Sequence, residues 1–236
     1  MRFHRYTFAS LLAIPLSFFS VSAQAAPVSG QANIAGNVTV TRDSIQFDPH
    51  FVVPVAGATE TGDFMGLTGG TIMSLSGGPK TGPADVMNFV KFTDGVAQPI
   101  TFDLTYIAPG VGTPGGCSNT PGVACTPTKD SPFTLYQLGS NTVIVGLQLN
   151  GNSYIGSPDT GTSPTTSIFS TQIAADGTIP QILAQLNTPG GSINGITYSA
   201  SFTASSPVPE PASLLLMGLG LVGAGVVARR KKAVNS

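Results

Sequence analysis

Between residues 33 and 206 the hydrophobic pattern repeats at every second position. In PITFDLTYI, residues 99–107, Ile100, Phe102, Leu104 and Tyr106 share one face, while Thr101, Asp103 and Thr105 take the other. That alternation describes a half-buried antiparallel strand. The same pattern turns Val143, Val145, Leu147 and Leu149 inward, and the Asn150-Gly151 that follows suits a type I′ hairpin turn. It recurs where Ile196, Tyr198, Ala200 and Phe202 oppose Thr197, Ser199, Ser201 and Thr203. Shorter strands are expected at NVTVT from Asn37, SIQF from Ser44, FVVPV from Phe51, TIMSL from Thr71, VMNFVKF from Val86 and FTLYQL from Phe133. Pro54 has no N–H to give a ladder, which assigns its strand to an edge or a bulge. Many short strands between Gly, Pro, Asn and Asp turns predict an all-β fold, an antiparallel β-sandwich with a jelly-roll-like version open.

One segment departs from this period. In DGTIPQILAQLNTPGG, residues 176–191, Ile179, Ile182, Leu183 and Leu186 follow helical spacing; Thr178 and Gln181 fit a capping box, and Asn187 with Pro189 supplies a stop. A helix of two turns does not stand alone in water, so it is expected to pack on the sheet and cover one open end.

Both ends of the chain change character. Arg2, His4 and Arg5 precede the apolar FASLLAIPLSFFSV, and Ala23-Gln24-Ala25 fits a small-x-small cleavage site. This is the pattern of a secretory signal peptide over residues 1–25, cut after Ala25, with Ala26 as the alternative. Pro15 within the run argues against a first membrane helix. At the other end, residues 212–228 carry no charge and only Ser213 as a polar side chain. As a helix they span about 25 Å, a minimal crossing of a hydrocarbon core of about 30 Å. Arg229, Arg230, Lys231 and Lys232 follow, and by the positive-inside rule they hold the preceding domain outside. Pro207, Pro209 and Pro211 bar both helix and sheet and leave an extended peptide just above the expected membrane helix. The expected organisation is a signal peptide (1–25), a β-sandwich ectodomain (26–206), a C-terminal segment (207–232) and a short tail (233–236).

The order of Val208-Pro209-Glu210-Pro211, apolar span and basic cluster resembles the sorting signal of the PEP-CTERM family of exported proteins from Gram-negative bacteria. The resemblance covers residues 207–232, about a tenth of the chain. It implies that Pro209, Glu210 and Pro211 are read by an exosortase, a membrane-embedded cysteine transpeptidase or protease. It further implies a transient inner-membrane anchor, then delivery to the cell surface or an extracellular matrix, in association with exopolysaccharide or biofilm. The stretch from FSTQ through GGSINGITYSASF is also faintly similar to ectodomains of other members, whose activity is unassigned.

Composition narrows the remaining classes. Charged residues are 9% of the chain, against about 25% in ordinary soluble domains, and Gly with Pro stays below the level of low-complexity sequence, so a folded, turn-rich domain is expected. Between residues 26 and 206 the cations Arg42, Lys80, Lys91 and Lys129 face ten acids, a balance that repels phosphate backbones and argues against a nucleic-acid partner. Cys117 and Cys125, the two cysteines, suit a disulfide closing a ring of nine residues, worth roughly 2.5 kcal/mol in the chain-entropy model. As a metal site the pair would lack its remaining ligands.

Candidate chemistry is sparse. His50, in FDPHF, has Asp48 and Ser44 nearby in sequence, but no G-x-S-x-G elbow and no H-E-x-x-H motif accompanies it. Asp63, Asp85, Asp94, Asp103, Asp130, Asp159 and Asp176 could supply a glycosidase pair only if two converge in space. Asp94-Gly95 and Asp176-Gly177 match turns instead. Calcium held by loop carboxylates is open as a ligand, without EF-hand spacing. In SGGPKTG, residues 76–82, Pro79 removes an amide that a phosphate loop needs. Tyr106, Tyr136, Tyr154 and Tyr198 could stack on sugars, though Tyr106 and Tyr198 fall on apolar faces. No cofactor is implied. The reading is an exported, non-catalytic surface or matrix protein; the alternatives are a secreted polysaccharide-acting hydrolase or a calcium- or carbohydrate-binding module. Amino-terminal sequencing of the exported protein is expected to begin at Ala26, and a chain still starting at Met1 would overturn the signal-peptide assignment.

Overall fold

The computed structural model describes residues 27–206, apart from 42, 43, 78, 79 and 174–176, together with residue 221. The signal-peptide residues Ala23 and Ala25, the motif Val208–Pro211 and the basic cluster Arg229–Lys232 lie outside the described residues, as does the expected membrane helix apart from residue 221.

Period-two alternation governs the described chain. Its strands are β1 (Gly30–Thr41), β2 (Ser44–Phe47), β3 (Phe51–Pro54), β4 (Gly69–Ile72), β5 (Leu75–Ser76), β6 (Gly82–Asp94), β7 (Ile100–Ile107), β8 (Thr113–Pro114), β9 (Ala124–Thr126), β10 (Phe133–Leu138), β11 (Thr142–Ile155), β12 (Ser163–Ile173) and β13 (Ser192–Ala204), with the helix α1 (Ile179–Leu186) between the last two. They form one sheet in the order β12-β13-β1-β3-β4-β6-β7-β11, and β11 pairs back onto β12 from Val143↔Ile173 to Ser153↔Ser163. Every pairing around this ring is antiparallel. The expected all-β, antiparallel fold with one short helix is therefore present, with its layers joined into a single barrel-like sheet. Closure removes edges that would otherwise invite pairing with another chain. Strand β10 continues from the first half of β11 and carries β9 and β8, while β2 and β5 branch from β1.

Aromatic rings fill the interior. Phe202 on β13 packs edge-on against Phe92 at 5.3 Å, Phe102 at 5.3 Å and Phe169 at 5.7 Å, so it touches β6, β7 and β12 at once. Phe64 continues the stack from Phe92 at 5.2 Å, and Phe47 and Tyr198 extend it beyond Phe169. Edge-to-face pairs add to the gain from area burial, and here they tie facing strands across the barrel.

Three expectations from periodicity are corrected. Tyr106 is exposed at 39%, and Ile107 takes the inward position. The cause is a bulge: Asn150 pairs with Tyr106 and Gly151 with Leu104, which leaves Thr105 unpaired and inverts the phase beyond it. Asn150-Gly151 is not a turn but lies within β11. A Cβ at residue 151 would sit 1.9 Å from the Asp103 carbonyl oxygen and 2.7 Å from the Phe102 ring, so glycine is required there for close approach. Strand β3 is not an edge, since it lies between β1 and β4. Pro54 is accommodated because it is the last residue of that strand and opposes only Ile34, with no partner on β4.

Removing the Phe202 ring leaves a hole bordered by three strands, so Phe202→Ala is expected to cost about 3–5 kcal/mol. Tyr106→Ala, on the outside of the bulge, is expected to change stability by no more than about 0.5 kcal/mol. Urea unfolding of both variants checks this, and a large loss at Tyr106 would contradict the inverted phase.

Candidate functional site

Helix α1 is set by its first turn. The Gln181 side chain returns to the Thr178 N–H at 2.8 Å, as the expected capping box requires. The Ile179 N–H donates to Gln137 Oε1 at 3.0 Å, and the Gln137 amide donates to the Thr142 carbonyl at 3.3 Å. Gln137 is fully buried on β10 and so pins the helix start to the sheet. Periodicity gives no sign of this role, because Gln137 occupies an inward position where an apolar residue is expected. Ile179 and Ile182 are buried below the helix, whereas Leu183 and Leu186 are only half-buried.

Those two leucines border a cleft of about 670 Å³ between α1 and the segment 127–132 that leads into β10. Ile173, Ile193, Leu135 and Val145 continue the apolar wall, and Lys80, Thr81, Thr128, Asp130 and Ser131 stand among its polar lining. The segment is held by the Gly110 N–H donating to the Ser131 carbonyl at 3.0 Å and by the Thr81 N–H donating to the Asp130 carbonyl at 3.4 Å. The expected disulfide is formed between Cys117 and Cys125, with Cα atoms 5.3 Å apart. It fixes β9, one residue before the segment that borders the cleft. A second, apolar cavity of about 40 Å³ shares Val40, Phe133, Val145 and Thr171 with the cleft and reaches Phe47 and Phe169.

Asp63, Asp85, Asp94, Asp130 and Asp159 are exposed, and Asp176 lies outside the described residues. Among the described residues no group of three His, Cys, Asp or Glu side chains could hold a metal ion. Asp103 is buried and serves the backbone: its Oδ1 accepts from the Asn88 N–H at 2.6 Å and from the Tyr154 hydroxyl at 3.4 Å. Asn88 sits at φ 56°, within a bulge of β6, so the carboxylate secures a strained turn of strand. Burial and then the Asp103 carboxylate raise the Tyr154 phenol above its ordinary value. His50 faces the Ile72 carbonyl at 3.1 Å through Nδ1. Tyr136 is half-buried and Tyr154 buried, which leaves Tyr106 as the exposed member of the four tyrosines considered for sugar stacking.

Tyr198 is buried as its strand phase predicts, between Phe47 and Phe169. Its hydroxyl has no hydrogen-bond partner, and burial pushes its pKa well up. The ring lies across Gly36, where a Cβ would meet it at 2.8 Å.

Residues 207–232 match the family model described as the PEP-CTERM protein-sorting motif. No curated protein and no solved structure matches the chain significantly. The chain thus carries the sorting signal that Val208, Pro209, Glu210, Pro211 and the basic cluster resemble, over the residues expected. That motif points to export, processing by an exosortase-type enzyme and a transient membrane anchor. Among the described residues no helix is long and apolar enough to cross a membrane.

The two buried phenols set an alkaline limit. A phenol whose folded-state pKa lies above its unfolded value of about 10 contributes stability that is complete below that pH and is lost as pH rises through the folded value. Urea midpoints are therefore expected to fall above about pH 10. Tyr198→Phe removes an unpartnered buried hydroxyl and is expected to leave the protein as stable at neutral pH, or about 1 kcal/mol more so, with a shallower alkaline loss. An unchanged alkaline slope in that variant would contradict the assignment.

Proposed function

We propose that this chain is an exported, non-catalytic protein of the cell surface or extracellular matrix. Residues 207–232 hold it briefly in the inner membrane, an exosortase-type enzyme cuts it in the Pro209-Glu210-Pro211 region, and the body is delivered to the surface or to an exopolysaccharide matrix. The observation that carries this reading is the sorting motif itself. The acidic balance between residues 26 and 206 and the scattered carboxylates accord with a body that makes contacts rather than performs a reaction. A disulfide suits an oxidising compartment.

Intact-mass measurement of the mature protein from its native host tests the processing step. The expected mass lacks the residues beyond Pro211, including Arg229–Lys232. Pro209→Ala with Glu210→Ala is expected to shift the protein to the uncut, membrane-held form. A native protein that retains its basic cluster would refute processing, and recovery of the cut protein away from both surface and matrix fractions would refute the destination.

A further inference from the structure

We propose that the cleft beside α1 binds a single-chain amphiphile with a zwitterionic head, of the lysophospholipid type. Its volume of about 670 Å³ lies in the range of small-molecule sites, roughly 300–1,000 Å³. A methylene displaces a volume close to that of a water in the liquid, about 30 Å³, so the space takes about twenty such groups, enough for one ordinary acyl chain but not for two.

The walls suit a flexible chain. Ile173, Ile182, Leu183, Leu186 and Ile193 are branched aliphatic side chains, and Phe133 is the one aromatic side chain among the described lining residues. The lining thus offers aliphatic surface and no aromatic pair to sandwich a planar ligand. Half-buried Leu183 and Leu186 gain burial when the cleft fills. Among the described lining residues there is one cation, Lys80, and one anion, Asp130, with hydroxyls from Thr81, Thr128 and Ser131. A head with a phosphate and an ammonium group complements both charges, whereas a purely anionic or cationic head meets a like charge.

The test uses the full chain in lipid nanodiscs and a lysophosphatidylethanolamine carrying a diazirine near its chain end. After irradiation, mass spectrometry is expected to place the label on residues 177–193 or on Phe133–Val145. Leu183→Trp, which fills the cleft from an already half-exposed position, is expected to remove that label, with circular dichroism and the melting transition reporting that the fold is kept. Lys80→Glu is expected to reduce labelling about tenfold, the order of losing one charge-assisted hydrogen bond, as is exchange of the probe for a fatty acid of equal length. Label confined to 207–232, label on α1 that survives Leu183→Trp, or equal labelling by the fatty acid would each overturn the proposal. The outcome does not depend on whether the tail is cut, so it stands or falls separately from the sorting role.

Discussion

Closure of the sheet rests on the register that sets β11 against β12. Strand β11 carries β7 and β10 on its other edge, and β12 carries β13, so this one ladder joins the two ends of the strand order. Without it two long edges would face water and the Phe169 and Phe202 rings would lose their roof. At one end the inward positions of the ladder are small and hydroxylated, Ser153, Ser163, Thr165 and Ser167, while at the other they are the apolar Val143, Leu147, Phe169 and Ile173. Thr165 donates to Ser153 at 2.8 Å, while Ser163 and Ser167 leave their hydroxyls unpartnered, a local cost in a buried setting. Ser167 pairs with Phe202, so a small side chain stands where the central ring needs room.

The bulges decide which side chains meet. Asp103 pairs with Asn152 and Tyr154 with Thr101, which sets the phenol diagonally across from the buried carboxylate, and the widened stretch of β6 brings the Asn88 N–H to the same carboxylate. Through Oδ1 that carboxylate serves a bulged backbone and a phenol.

Strands with large apolar residues inward were legible from alternation alone: β2 and β10 match the runs SIQF and FTLYQL end to end. Strand β12 was not, because its inward residues up to Phe169 are Ser163, Thr165 and Ser167, which carry no hydrophobic signal. The phase of β7 was right as far as Leu104 and failed at a bulge that no single residue type announces. Gly151 followed an asparagine as in a hairpin, yet its purpose is proximity to Phe102 and Asp103, a contact made by a distant strand. The sorting motif was readable because its three parts are contiguous in sequence. The cleft was not, since its walls come from β10, β12, β13 and α1 and meet only in the fold.

The first and last long strands of the body, β1 and β13, run side by side from Gly30↔Ala204 to Thr41↔Ser192, with β12 on the far side of β13. Tension applied to the chain beyond Ser206 enters along the axis of β13 and acts across hydrogen bonds that lie perpendicular to it. The bonds on both flanks are then loaded in shear and share the force, instead of opening one after another as in a peeled hairpin. A pull on the carboxyl end of the body would therefore load a strand that is paired along both of its edges.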